Sequence, residues 1–140
     1  MIRIEQYKPD IIGLTEIWPK NTRFKNEEEM FIPNFDVFMN KGSRGVALYI
    51  NKNLKAFECD IFNDVEFEEN VWCQIVNENG EKVLIGCIYK SPNSTTENKN
   101  KLLEVLASDK LSRFDKVRIV GISLQSNGMT HGKVRKIMNL

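Results

Sequence analysis

The sequence predicts a small α/β protein in which strands outnumber helices. Short apolar runs separated by turn residues recur across residues 35–90, one amphipathic segment follows them, and another apolar run comes after it. The chain has 140 residues, of which 41% are hydrophobic and 28% charged, and its formal net charge is +1. This composition is too apolar for a disordered chain, and no apolar run approaches the roughly 18 residues that a membrane helix needs. We therefore expect a soluble globular chain with one core and no membrane partner.

The first predicted strand is the apolar run 10–16, whose last residue is Glu16. Residues 17–34 are rich in Asn, Pro and acidic side chains, which is typical of a loop. Five further strands are predicted, and we expect an antiparallel meander from residues 35–39, 45–50, 56–62, 71–76 and 82–89. The last of these is apolar at both odd and even positions, so we expect it to be a central strand covered on both faces.

An amphipathic helix is predicted over residues 96–111, because Ser94 and Glu97 have the spacing of a capping box and leucines follow at helical spacing. Residues 117–121 predict a short buried strand. After Gly121 no period is visible, so the chain divides into a folded part, residues 1–121, and a loosely structured tail, residues 122–140. The near-zero net charge means that any contact with nucleic acid must be local. Three scattered cysteines and no secretory signal favour free thiols in an intracellular location, the nucleus or cytoplasm.

Polar side chains follow two of the predicted strands. Glu16 ends the first strand, and Tyr89 and Asn93 lie at the end of the central strand. Loops at sheet ends are common positions for functional sites, and a carboxylate, a phenol and an amide gathered there suit Mg²⁺ and a phosphate group. From the residues alone, the plainer alternative is that Glu16 is a loop carboxylate and Tyr89 a core residue with its hydroxyl at the rim.

Four ordered blocks of sequence make the chain similar to a known superfamily. Residues 8–18, 42–50, 70–75 and 84–94 resemble the endonuclease/exonuclease/phosphatase superfamily, and within it the endonuclease domain of non-LTR retrotransposons, which is similar to apurinic-site endonucleases. The resemblance implies a partial two-layer α/β sandwich and a Mg²⁺-dependent phosphodiesterase that nicks DNA. It also implies that Glu16 is a metal ligand, that Tyr89 holds the scissile phosphate and that Asn93 belongs to the same loop.

The chain also departs from the pattern of this superfamily. Where the Gly-Asp-Phe-Asn motif would follow the last strand, Ile122 replaces the Asp and Leu124 replaces the Asn. The Ser-Asp-His end has no counterpart, and His131 is the only histidine. We therefore expect a truncated, N-terminal half of the domain that is inactive and in which Glu16, Tyr89 and Asn93 are vestigial. Two alternatives remain open: a small α/β interaction module that pairs with a partner through exposed sheet edges, where self-association or aggregation could also occur, and an active metal-dependent nuclease or phosphatase.

Overall fold

The computed structural model describes residues 9–18, 27–40, 42, 44–62, 67, 69–90, 95–121 and, by their backbone, 134–138. Within these ranges the chain forms two four-stranded sheets and one α-helix, α1, at Thr96–Leu106. Short 3₁₀ helices occur at Glu27–Met30, Lys52–Leu54 and Asp109–Arg113. The strands are β1 Ile11–Thr15, β2 Phe35–Asn40, β3 Val46–Asn51, β4 Phe57–Glu58, β5 Asn70–Val76, β6 Lys82–Ile88, β7 Lys116–Val120 and β8 Val134–Met138.

The strands pair in a less sequential order than the predicted meander. The first sheet has the order β2-β3-β1-β8 and is antiparallel throughout. The second has the order β4-β5-β6-β7, in which β6 and β7 run parallel. The predicted antiparallel meander is confirmed within each sheet, where β2 pairs with β3 and β5 pairs with both β4 and β6, but it is not continuous, because β3 and β4 lie in different sheets. After β6, α1 carries the chain over to β7, which lies parallel to β6. A parallel pair needs such a crossover, whereas a hairpin joins only antiparallel strands.

The main core lies between the two sheets. Leu48 and Ile50 of the first sheet share an apolar cluster with Ile75 and Ile85 of the second, and all four are almost completely buried. On its other face the second sheet is covered by α1, whose Leu102 and Val105 belong to a cluster with the outward-facing side chains of β5 and β6. Strand β6 is thus buried on both faces, as its uninterrupted apolar sequence predicts. The expected class, a partial two-layer α/β sandwich, is confirmed.

Two predicted elements differ in extent from those observed. The strand expected over residues 56–62 is reduced to Phe57–Glu58, a short exposed pair at the sheet edge. The helix expected over residues 96–111 ends at Leu106, and a separate 3₁₀ helix begins after Ser108, whose side chain accepts a hydrogen bond from the Lys110 amide (3.2 Å). Serine competes with helical backbone hydrogen bonds in this way, so it starts a new cap although the apolar spacing continues.

The tail also differs from its prediction. Val134–Met138 forms β8 and pairs with β1, with a register shift between Gly13 and Leu14. This pairing uses backbone groups, so it can occur without the side-chain period on which the prediction of an irregular tail depended. No helix within the described ranges is long and apolar enough to cross a membrane.

Candidate functional site

Strand directions bring several polar residues to one end of the sandwich. Thr15 at the end of β1 lies opposite Val46 at the start of β3. In the second sheet, Asn70 at the start of β5 lies opposite Ile88 at the end of β6. The loops that carry Glu16, Arg44, Glu69 and Tyr89 adjoin these strand ends, so these side chains come from both sheets and meet at one place.

Glu16 and Tyr89 join the two sheets. The Tyr89 hydroxyl donates a hydrogen bond to Glu16 Oε1, although the two residues are 73 positions apart in the sequence. Glu16 has a φ of +54°, in the left-handed region that a residue with a side chain rarely adopts without support from its surroundings. The structure therefore brings together the two strand-end groups that the sequence places there.

Arg44 lies beside this pair and was not singled out from the sequence. Its Nη2 lies 4.0 Å from Glu16 Oε2, and its Nε donates a hydrogen bond of 2.8 Å to the Trp18 carbonyl. The backbone reinforces this position, because the Trp18 amide donates to the Arg44 carbonyl (2.9 Å). Gly45, at a φ of +77°, allows the close approach, since a Cβ there would lie 2.7 Å from the Trp18 indole. The only sequence signal for Arg44 is its place within the block 42–50.

Glu69 connects the Arg44 loop to the second sheet. Its Oε1 accepts a hydrogen bond of 3.1 Å from the Arg44 amide, and its carbonyl accepts one of 2.9 Å from the Tyr89 amide. Directly after it, Asn70 accepts a hydrogen bond from Trp72 Nε1 (2.8 Å) through its side chain, and its carbonyl accepts one from the Asn40 side chain (2.9 Å). These contacts hold the loops at this end in place, and the acidic composition of residues 66–69 gave no sign of such a role.

A cavity opens next to this cluster. It has a volume of about 380 Å³ and lies between the end of β2 and the segment from β4 to β5. Trp72 and Phe62 contribute apolar walls, and Glu58 and Asp60 line it as well. Burial, and to a smaller degree the charge of Asp60, raise the pKa of Glu58. This side of the site therefore carries negative charge, which is unfavourable for a phosphate group.

The remaining predicted site positions cannot be placed. Asn93, Ile122 and Leu124 lie outside the described residues. Of the predicted site residues, the structure thus places Glu16 and Tyr89, and it brings these two into contact.

The described side chains do not by themselves fit a bound Mg²⁺ ion. Mg²⁺ is held by carboxylates together with waters and substrate oxygens in near-octahedral geometry. One oxygen of Glu16 accepts the Tyr89 hydroxyl and the other lies 4.0 Å from the cationic Arg44, so each oxygen already has a protein group beside it. Among the described residues, no three or more His, Cys, Asp and Glu side chains are grouped so that they could hold a metal. The magnesium expectation thus depends on the resemblance and not on this donor set.

Comparison with known proteins places this arrangement in a family. A model of the endonuclease/exonuclease/phosphatase family matches residues 3–120, which span β1 to β7 and both strand ends that carry Glu16 and Tyr89. Neither the comparison with curated proteins nor that with solved structures found a match. Because the family match covers most of the sequence and agrees with the observed sandwich, the chain belongs to the endonuclease/exonuclease/phosphatase family.

Proposed function

We propose that the chain is a relative of retrotransposon endonucleases that keeps part of a phosphodiesterase site and does not cut DNA by itself. The observation that carries this proposal is the Glu16–Tyr89 contact at the joint end of the two sheets. In the superfamily that the sequence resembles, the residues at these two positions bind the metal and hold the scissile phosphate. Their contact across the sheets supports a shared origin with such a site, and the four sequence blocks favour the retrotransposon branch of the family.

The proposed lack of cleavage depends on the residue types present in the sequence. Hydrolysis of a phosphodiester requires neutralisation of charge on the phosphate and a group that activates water. Ile122 and Leu124, at the positions of the family's Asp and Asn, can neither accept a proton nor coordinate a cation. His131 is the only histidine in the 140 residues and has no family counterpart. Catalytic constellations lose most of their rate when single members are removed, so several losses together are expected to abolish turnover.

A plasmid-nicking assay tests this proposal. Supercoiled DNA is incubated with the wild-type chain and with Glu16→Ala, in Mg²⁺ and in EDTA, beside an active endonuclease of the same family as positive control. We expect both forms of this chain to leave the plasmid supercoiled to the same extent as buffer alone. Mg²⁺-dependent nicking by the wild type that is lost in Glu16→Ala would contradict the proposal and favour an active nuclease.

DNA binding without cleavage is a separate part of the proposal and has its own measurement. Titration of a fluorescent duplex with the chain, at low and at high salt, is expected to show weak binding, because the net charge is only +1, and this binding should weaken further as salt is raised. Binding of the same strength at both salt concentrations would show that contacts other than those to phosphates dominate.

A second candidate function is pairing with another chain through a sheet edge. In the described part of the chain, β4 ends the second sheet at one side and β7 at the other. Phe57 on β4 is 53% exposed, which is high for a large apolar side chain at such an edge. Light scattering after size-exclusion chromatography tests this candidate: a dimer that Phe57→Lys converts to a monomer supports it, and a monomeric wild type speaks against it.

A further inference from the structure

The Glu16 carboxylate has protein groups at both oxygens. Tyr89 donates to Oε1, and the Arg44 guanidinium faces Oε2 at 4.0 Å. The side chain of Glu16 is only 12% exposed and that of Arg44 23% exposed. A charge at this depth is poorly solvated, so it needs a partner of opposite charge within the protein.

The guanidinium is held at this position by contacts that do not involve Glu16. Its Nε is bound to the Trp18 carbonyl, and the backbone of Arg44 is bonded to Trp18 on one side and to Glu69 on the other. Contacts with two loops thus hold Arg44 in position independently of its interaction with the Glu16 carboxylate. This is what an internal counter-ion requires, because little side-chain entropy is then lost when the ion pair forms.

The backbone of Glu16 points to the same conclusion. A left-handed conformation is unfavourable for a residue with a Cβ, and it persists only where the surroundings determine it. Here the neighbouring amides of Ile17 and Trp18 are bonded to the Gly45 and Arg44 carbonyls (3.4 and 2.9 Å). The turn that imposes this conformation therefore also directs the carboxylate toward Arg44 and Tyr89.

We infer that Arg44 is the cation bound by Glu16 in this chain, and that Glu16, Arg44 and Tyr89 form a clasp that ties the two sheets together where active relatives would hold a metal. This inference rests on the proposed function, since it assigns the vestigial carboxylate a new partner. A carboxylate that serves as an unoccupied metal ligand and one that serves in a clasp differ in a measurable way. Neutralising an unoccupied metal ligand relieves electrostatic repulsion and leaves the metal-free protein as stable as before or more stable. Neutralising a carboxylate that serves in a clasp destabilises the protein.

The test compares melting temperatures in EDTA and in excess Mg²⁺ for the wild type, Glu16→Gln, Arg44→Gln and Tyr89→Phe. Arg113→Gln, which removes an exposed arginine from the 3₁₀ helix after α1, is the matched control for loss of a positive charge. We expect the wild type to melt at the same temperature in both solutions. Glu16→Gln and Tyr89→Phe should melt several degrees lower in EDTA, and Arg113→Gln should melt as the wild type does.

Arg44→Gln gives the most specific result. With the guanidinium removed, the buried Glu16 carboxylate loses its cationic partner, so Arg44→Gln is expected to melt several degrees below the wild type in EDTA. The double variant Glu16→Gln/Arg44→Gln should melt no lower than Arg44→Gln, because the same ion pair is lost in both. If Arg44→Gln does not fold, Arg44→Lys, which keeps the positive charge, is expected to melt closer to the wild type than Glu16→Gln does.

Two outcomes would overturn the inference. One is a Glu16→Gln variant that is as stable as the wild type or more stable in EDTA. This result would overturn the inference even if Arg44→Gln fails to fold. The other is a Mg²⁺-dependent rise in the melting temperature of the wild type. Neither depends on cleavage: nicking by the wild type would refute the proposed lack of activity, whereas the melting temperatures report on the clasp alone.

Discussion

Replacing Gly86 with alanine should destabilise the protein by filling space that Trp72 already occupies. Gly86 lies in the central strand β6 directly opposite Trp72 of β5. A Cβ at Gly86 would lie 2.7 Å from Trp72 Cη2, and the Cζ3 and Cε3 atoms of the ring would be closer still. The indole cannot move away freely, because its Nε1 is bonded to Asn70 and its ring packs against Phe62 at 4.9 Å between centroids.

The size of the effect follows from these contacts. Forcing an extra methyl group into a packed core typically costs about 1 to 3 kcal/mol, and losing the indole hydrogen bond adds about 1 kcal/mol. Alanine restricts the unfolded chain more than glycine does, which offsets about 0.4 to 1 kcal/mol of this loss of stability. We expect a net loss of about 2 to 3 kcal/mol in the free energy of unfolding. For a chain of this length that corresponds to a melting temperature lower by roughly 8 °C.

Urea and thermal denaturation followed by circular dichroism measure this loss. Gly80→Ala is the matched control, because Gly80 has no neighbour within 4 Å of a Cβ but has a φ of +77°. It should lose only about 1 kcal/mol, from backbone strain. In a Trp72→Leu background the ring is absent, so Gly86→Ala should cost less than about 0.5 kcal/mol. A Gly86→Ala variant as stable as the wild type, or one equally destabilised in both backgrounds, would refute the steric reasoning.

Three further predictions concern a thiol, an ion pair and a helix cap. Burial raises the pKa of Cys87 to about 12, so mass spectrometry should find this thiol unlabelled by iodoacetamide in the native chain and labelled after unfolding. A hydrogen bond from Asn77, with the ammonium of Lys116, holds the pKa of Glu81 below its usual value. A carboxyl group whose pKa is lower in the folded chain stabilises the fold at pH values above its unfolded pKa, and this stabilisation is lost as the pH falls through the folded pKa. The melting temperature of the wild type should therefore exceed that of Glu81→Gln near neutral pH, and the difference should disappear once acid has protonated the carboxyl group. Thr95 accepts a hydrogen bond of 3.1 Å from the first turn of α1, so in urea denaturation Thr95→Ala should cost about 1 kcal/mol and Thr95→Ser much less.

Local patterns predict individual elements well where burial is two-sided or clearly periodic. The run over residues 82–89 predicted a central strand because it is apolar at both odd and even positions. The spacing of Ser94 and Glu97 predicted the start of α1, whose observed N-cap is Thr95. The predicted end of that helix was wrong. Leu111 packs in the same cluster as Leu102, but it does so from a 3₁₀ helix, so its apolar spacing resembled one more helical turn.

The site was predictable only in part, for a reason of sequence distance. Glu16 and Tyr89 could be singled out because each directly follows an apolar strand, and side chains at strand ends are often brought together. Arg44 and Glu69 could not, since their bond joins loops 25 residues apart whose own composition is that of ordinary solvated loops. Such a contact depends on how two sheets stack, and local patterning does not contain that information.

The sequence by itself therefore determined most of the segments that become strands, and it determined that Glu16 and Tyr89 stand at the ends of two of them. Side-chain chemistry and periodicity are local properties, so they can be recognised from the sequence alone. Only the tertiary structure decided that β1 lies between β3 and β8, and that both oxygens of Glu16 face protein groups. Those outcomes depend on long-range pairing, in which the free energy gained by burying one strand depends on every strand already placed beside it.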